Sequence, residues 1–369
     1  MKAGKKKFGP LSILDVYIIK KLLLTFILAI FLIIMIGIIF DLSERLDEFI
    51  SNNAPVKGLI FDYYLNFIPH FANLFGHLFF FIAVVFVCSK LTANSEIIAV
   101  LSSGISFKRL LRPFIITAVF VGLVNLWLSN VLIPKVNIPR LEFEKVYYRN
   151  PYSNQLYNIH LQPQEGEQVY VQHFSNKTNK GYKFTQEIIQ DRQIVKKSSA
   201  DFIIFDSSAN DWIMSNYHIR EIVDNLEERI EKGEEKHIDI GILPHEFNLN
   251  QIKVEVLNYK QLNNAIKREE IKGNSIVTEL NIEKYQRLLN PFAYVILTVI
   301  GVALSSHKKR GGIGLNLAIG IILAFSLIMM MKLSNVFATN SSLSPFFATA
   351  LPLLIYAVIA IVLVRKTPK

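Results

Sequence analysis

The sequence has little of what would let a chain do chemistry alone. It carries one cysteine, Cys88, in 369 residues. A single cysteine excludes an intrachain disulfide framework, and its place at the end of an apolar run makes it a packing thiol. There is no G-x-x-x-x-G-K-[ST], so nucleotide phosphates are not cradled by that route. There is no H-E-x-x-H, no cysteine cluster and no G-x-S-x-G. His160, His173, His218, His237 and His245 are scattered through the middle of the chain without tight ligand spacing, which disfavours a metal site. Neither catalytic residues nor a cofactor are expected.

Hydrophobic residues make up 51% of the chain. Their distribution decides the class, because they come in blocks near the two ends. A membrane-spanning helix needs roughly 20 mostly apolar residues. Six runs qualify as spans: about 22–40, 65–87, 114–133, 291–305, 313–331 and 346–364. The first is too long for a signal-peptide core and no small-residue cleavage site follows it. The net charge of +10 could point to nucleic acid, but the basic residues sit in one set of short loops. That set holds Lys5 to Lys7, Lys20, Lys21, Lys90, Lys108, Arg109, Arg112, Lys308 to Arg310, Arg365, Lys366 and Lys369. The opposite short loops hold only Arg45 and Lys57, against Asp41, Glu44, Asp47 and Glu48. The positive-inside rule then predicts a multi-pass membrane protein with both termini cytoplasmic. Contact with anionic lipid accounts for much of the basic excess.

The polar middle reads as an extracytoplasmic β domain. "EQVYVQHF" (Glu167 to Phe174) alternates, and "DFIIFD" and "DWIMSNYHIREI" are rich in β-branched and aromatic residues. Turn-like clusters separate them, which predicts a sandwich or jelly-roll. Unbroken alternation puts Ile213, Ser215, Tyr217 and Ile219 on one face of a strand. It puts Trp212, Met214, Asn216 and His218 on the other. The first set, with Val169 and Val171 on an earlier strand, is the better lining for an apolar slot; a closed dry core is the plainer alternative. "NYKQLNNAIKREEIKG" reads as an amphipathic helix ending at Gly273. The expected layout is therefore helices one to three over 1–134, a β domain over 135–286, and helices four to six over 287–369.

Several residues stand out against this frame. Asn66, His70, Asn73 and His77 recur every three or four residues in the second span, on one helical face. They could line a polar path or simply hydrogen-bond between helices. Arg45 and Lys332, near the outer boundary, could hold a lipid phosphate. The alternatives are snorkelling and, for Arg45, pairing with the acids around it. "GGIGLNLAIG" (Gly311 to Gly320) opens a span and reads as a close-packing surface. Between the second and third spans lies "NSEIIAVLSSGISFKRLLRP" (Asn94 to Pro113). It predicts a short amphipathic helix near 94–104, a glycine turn and a basic approach to the next span.

That segment is similar to the coupling helix of the LptF/LptG permease family, the membrane subunits of the lipopolysaccharide-export ABC transporter. Three further segments resemble the family in order. They are "ILDVYIIKKLLLTF" (Ile13 to Phe26), "SADFIIFDSSANDWIMSNYHIRE" (Ser199 to Glu221) and "LLNPFAYVILTVIGVALSSHKKRGGIG" (Leu288 to Gly314). The resemblance covers essentially the whole chain; the first of the three leans towards LptG. It implies a permease without its own nucleotide site that pairs with a homologous second permease around a lipid cavity. It also implies a cytoplasmic LptB-like ATPase dimer beneath them, and LptC/LptA-like jelly-roll proteins as a periplasmic bridge. Glu96, with Ile97, Leu101 and Gly104, falls at the ATPase-coupling position. Arg45, Lys332, Asn66, His70, Asn73, His77, Ile213, Tyr217 and Ile219 become the lipid-binding candidates. The outer end of the first span departs from the pattern of some relatives: "FDLSERLDEFI" has Arg45 as its only base, where those carry several. Two other classes compete. A membrane-anchored scaffold or sensor with a ligand-binding β domain would need no ATPase. A lipid-modifying enzyme would need an acid or histidine paired with a nucleophile, and no such pair is found.

Overall fold

The computed structural model describes residues 12–148, 156–164, 166–175, 178–190, 193–207, 209–223, 227–244, 247, 254–271, 276–306, 312–340 and 343–366. Six helices are long and apolar enough to cross a membrane. They are α1 (Ile13–Ser51), α2 (Val56–Ala93), α4 (Phe107–Tyr147), α6 (Ile276–Ser305), α7 (Gly312–Asn340) and α8 (Pro345–Lys366). The short α3 (Glu96–Ser102) lies between α2 and α4, and α5 (Tyr259–Ile271) precedes α6. The expected frame of three spans, a β domain and three spans is the observed one. Each helix overruns its apolar run, because a helix satisfies its own backbone and continues wherever the polar flank allows. The anticipated end of α5 at Gly273 lies outside the described residues.

The chain divides into two compact units. One takes residues 1–47, 55–140 and 281–369; the other takes 48–54 and 141–280. The boundaries expected at 135 and 286 thus fall inside helices: "IPKVNIPRLEFEKVY" stays helical despite Pro139.

In the membrane unit one apolar cluster joins Ile18 and Leu22 of α1, Phe80, Val84 and Cys88 of α2, Ile97 of α3, Leu110 and Phe114 of α4, and Val302 of α6. A second joins Phe81 and Val85 of α2 to Leu297, Ala324, Leu327 and Tyr356. Cys88 is fully buried, as a packing thiol should be. Of the described glycines in the glycine-rich run, Gly320 is the one packed tightly against a neighbouring helix. A Cβ there would meet Val85 at 3.2 Å, whereas one at Gly314 would meet open space. Elsewhere the helices keep long apolar side chains such as Leu24, Ile27, Phe31 and Phe325 exposed, as a lipid-facing surface requires.

The second unit is built on one antiparallel sheet of six strands in chain order. They are β1 (Leu156–Leu161), β2 (Glu167–Ser175), β3 (Lys180–Gln190), β4 (Gln193–Asp206), β5 (Asp211–Val223) and β6 (Glu227–Ile238). Every described pairing joins sequence neighbours, so among the described strands the β domain is wound as an up-and-down meander. Its core gathers Val169, Val171, Phe174, Phe184, Ile203, Trp212, Met214 and Ile219 with Ile240, Ile242 and Phe247.

A crease crosses this sheet. Each ladder skips one pair on the same row: Asn158 with Gln172, Gln172 with Lys183, Lys183 with Asp201, Asp201 with Asn216, and Asn216 with Glu234. The numbering on either side stays in register, but the buried face changes phase. Val169 and Val171 are buried before it and Phe174 after it; Ile219 is buried before it and Met214 and Trp212 after it. Lys183 (φ 52°) and Asn216 (φ 52°) take the left-handed conformation at the line. Strands β2 to β5 change phase along this one row while their pairing numbers match on either side of it; a separate register shift lies in the β3–β4 ladder at Ile188/Ile189. This corrects the face assignment made from unbroken alternation. Trp212 and Met214 share the inner face with Tyr217 and Ile219, and Ile213, between Trp212 and Met214, does not. His218 is exposed, as expected.

Candidate functional site

The α3 segment is the best-defined candidate. Ser95, in left-handed conformation (φ 62°), ends α2 and starts α3. Ile97 is 2% exposed and Leu101 packs against the same cluster. Ile97 therefore anchors α3, with Leu101 half-buried beside it. The outward face carries Ile98, Ala99, Ser102 and Ser103. Gly104 takes φ 85° with open space around it, the conformation for which the turn needs glycine. Glu96 is half-buried and held at one edge. Its Oε2 accepts from the Tyr17 hydroxyl at 3.1 Å, and Lys21 Nζ lies 3.8 Å from Oε1. Lys21 also donates to the Tyr17 hydroxyl at 2.8 Å, and Asn94 donates to Oε1 at 3.3 Å.

Beside this lies an ion pair that sequence reasoning missed. Asp15 is fully buried. Arg109 grips it bidentately, Nη1 to Oδ1 at 2.6 Å and Nη2 to Oδ2 at 2.7 Å. Ser12 donates to Asp15 Oδ2 from its backbone N–H (2.9 Å) and its hydroxyl (3.0 Å). The one available signal was local: Ser12 and Asp15 have the S-x-x-D spacing that opens a helix.

The four polar residues of α2 divide. Asn66 is half-buried and donates to the carbonyls of Phe61 and Asp62, in a π-helical turn (Leu59–Tyr64) of its own helix. Asn73 faces α4, accepting from Asn125 Nδ2 at 2.6 Å and donating to Ser129 Oγ at 3.1 Å. His70 meets Asn137 at 3.4 Å. His77 is half-buried, its ring edge-on to that of Tyr294. This arrangement is that of helix-to-helix adhesion by polar groups. Asn73 and His70 take part in it, whereas His77 Nε2 has no described hydrogen-bond partner.

The two outer cations also differ. Arg45 Nε lies 2.9 Å from Asp41 Oδ1, and Tyr63 donates its hydroxyl to Asp41 Oδ2 at 2.9 Å. The local ion pair, not a ready phosphate site, is the observed arrangement. Lys332 is exposed on α7.

In the β domain, Trp212 is buried and donates Nε1–H to the Ile242 carbonyl at 2.7 Å. Tyr217 is half-buried, reaches across β6 to Glu231 at 3.0 Å and lies over Gly233. The Glu231 carboxyl is held below its ordinary value by Lys236 and then by Tyr217. On the crease, Asp201 accepts from Lys183 at 2.9 Å and from Asn216 at 3.2 Å. Those two donors, Lys183 foremost, likewise lower its pKa. Among the described residues no three His, Cys, Asp or Glu gather as a metal set; His245 lies outside them.

No curated protein matches the chain. A family model does, over residues 16–366, which takes in all six spans and the β domain between them. The chain belongs to the lipopolysaccharide export system permease LptF/LptG family, as a multi-pass inner-membrane transport subunit.

Proposed function

We propose that this chain is one of two homologous permeases of an ABC transporter that draws lipopolysaccharide from the inner membrane. A separate LptB-like ATPase dimer docks beneath α3 on the cytoplasmic side and supplies the energy. Lipopolysaccharide leaves through the periplasmic β domain towards LptC/LptA-like bridge proteins. Both termini are cytoplasmic in this reading, in line with the Lys/Arg asymmetry of the short loops.

The observation that carries the reading is the form of α3. Its inner side is locked into the membrane core by Ile97, while its outer side presents Ile98, Ala99 and the edge carboxylate of Glu96. A helix buried on one side and bare on the other, between two spans, suits rigid docking. Ile98 replaces Ile97 as the apolar docking residue. Gly104 serves the turn, and Glu96, already held by Tyr17 and Asn94, offers its exposed side to a base on the partner. Affinity purification of the tagged chain tests the proposal. It should bring down a P-loop ATPase and a second permease of the same family. A chain that purifies alone from mild detergent, with neither, is the result expected of a scaffold or sensor and overturns the proposal.

A further inference from the structure

The proposed function needs motion of α3 to reach the helices around the lipid. The contacts of α1 supply a route. Resting on that function, we propose that the Asp15–Arg109 pair, with the Tyr17–Glu96–Lys21 contact, is the joint that makes α3 and α1 move as one body.

Three observations carry this. The first is the position of the contacts in the chain. Glu96 is the first residue of α3, and Arg109 lies in the first turn of α4, just beyond the Gly104 turn. Both are held by residues within the first turns of α1. The α3 segment is thus bracketed from both sides by one helix. The second is the chemistry of the grip. A guanidinium and a carboxylate meeting through two parallel hydrogen bonds fix relative rotation as well as distance. Asp15 is fully buried and receives two further hydrogen bonds from Ser12, so its carboxylate has a single orientation. Breaking such a pair leaves a buried charge unmatched, so the joint resists slippage. The third is packing: Ile18 and Leu22 of α1 share one buried cluster with Ile97 of α3 and with Phe107 and Leu110 of α4.

The lever attached to this joint is long. α1 has 39 residues and no proline, which is about 58 Å of helix, enough to pass through the ~30 Å hydrocarbon layer. At its other end Asp41 is tied to Tyr63 of α2. A push on α3 is therefore delivered along α1 to its opposite end. Asp15, Tyr17, Lys21 and Arg109 are positioning residues in this scheme: they touch neither nucleotide nor lipid.

The test uses the whole complex, purified with its ATPase and second permease and reconstituted in proteoliposomes containing lipopolysaccharide. Three variants are compared with wild type: Arg109→Lys, Asp15→Asn, and the exchange Asp15→Arg with Arg109→Asp. Three quantities are read: ATPase recovered per permease, ATP hydrolysed, and lipid released per ATP. Arg109→Lys keeps the charge but loses the fork. It should retain ATPase binding and hydrolysis and lose about tenfold in lipid released per ATP, an ordinary size for coupling between sites. Asp15→Asn should behave likewise, and the exchange should recover part of the loss. Unchanged release per ATP in Arg109→Lys overturns the joint. So does a loss of release that only follows a loss of bound ATPase, since the pair would then serve docking or folding. Arg109→Lys decides the matter even where Asp15→Asn fails to accumulate. If wild type itself recovers no ATPase, the transporter reading fails, and that outcome is distinct from a failure of the joint.

Discussion

Tyr17 and Glu96 are 79 residues apart in sequence, and the hydroxyl of one donates to the carboxylate of the other at 3.1 Å. The contact ties the first turns of a membrane helix to the first residue of the short helix proposed to meet the ATPase. Glu96 therefore has two possible partners, an internal one in Lys21 and Tyr17 and an external base.

Glu96→Lys should weaken ATPase recovery and lipid export while the permease still inserts. The substituted ammonium would face Lys21 on one side and a basic socket on the other. Like charges opposed across an interface cost several kcal/mol, whereas a half-exposed surface substitution costs the fold little. Glu96→Gln keeps the hydrogen bond from Tyr17 and should be milder. Normal ATPase recovery and growth with Glu96→Lys would remove Glu96 from the docking surface.

The Asn73–Asn125 contact separates adhesion from transport. Asn125→Ala removes a hydrogen bond of 2.6 Å but leaves Ser129 as a partner for Asn73. Interhelical hydrogen bonds in membranes contribute roughly 0.5–2 kcal/mol each. Unfolding in mixed micelles should show a loss of about that size, with lipid release per ATP unchanged. A stable protein with impaired release would instead make the Asn73 face part of a lipid path.

The crease makes a third prediction. Asn216 holds φ 52°, a conformation that costs most side chains about 1–2 kcal/mol but suits asparagine and glycine. Asn216→Gly should be nearly neutral. Asn216→Val should destabilise the β domain by about 1–2 kcal/mol, read as faster amide exchange in β4 and β5 of the full chain. Acid should act at the same row. The Asp201 pKa is lowered in the fold by Lys183 and then Asn216. Its contribution is thus present above the ordinary carboxylate value near 4 and fades as pH falls through the lowered one. Protection of these strands, corrected for the intrinsic pH dependence of amide exchange, should fall as pH drops below the ordinary carboxylate range, and fall less in Asp201→Asn than in wild type.

The helices were legible because the physics that forms them is local: a membrane span needs apolar composition over enough residues, and the sequence writes that openly. The β domain was legible as strands for the same reason, from "EQVYVQHF" and "DWIMSNYHIREI". Its crease was not. Lys183 carries no mark of a left-handed residue, and the phase change makes sense only when β2 to β5 are seen to break along one row. The orientation of α3 was missed for a related reason. Ile97 and Ile98 are adjacent and chemically alike, and only the packing of Ile18 and Phe107 decides which is buried. Asp15 and Arg109 lie 94 residues apart, so nothing local announces their pairing. Arg45 was readable as a phosphate ligand or an ion-pair partner, and Asp41, one helical turn away, takes it.

The last prediction concerns the inner face of the β domain. If acyl chains pass along this sheet, the residues that touch them follow the creased phase, not simple alternation. Tyr217 and Ile219 belong to that face together with Met214, and Ile213 and His218 do not. The face is well buried in this conformation, with Val169 at 1%, Val171 at 0% and Ile219 at 6% exposure. Admission of lipid therefore requires the sheet to open. Tyr217 is the natural point of entry, because it is only half-buried and its ring lies over Gly233 of β6, the last strand of the sheet. A photo-crosslinker at Tyr217 or Ile219 should capture lipopolysaccharide when ATP is hydrolysed, and one at Ile213 or His218 should capture little. Unbroken alternation would instead place Ile213 with Tyr217, so adducts at Ile213 would count against the crease as the guide to the path. A core that stays dry and closed gives no adduct at any of the four. Adducts at Tyr217 that form equally well without ATP would mean passive binding, and the conduit would have to be abandoned.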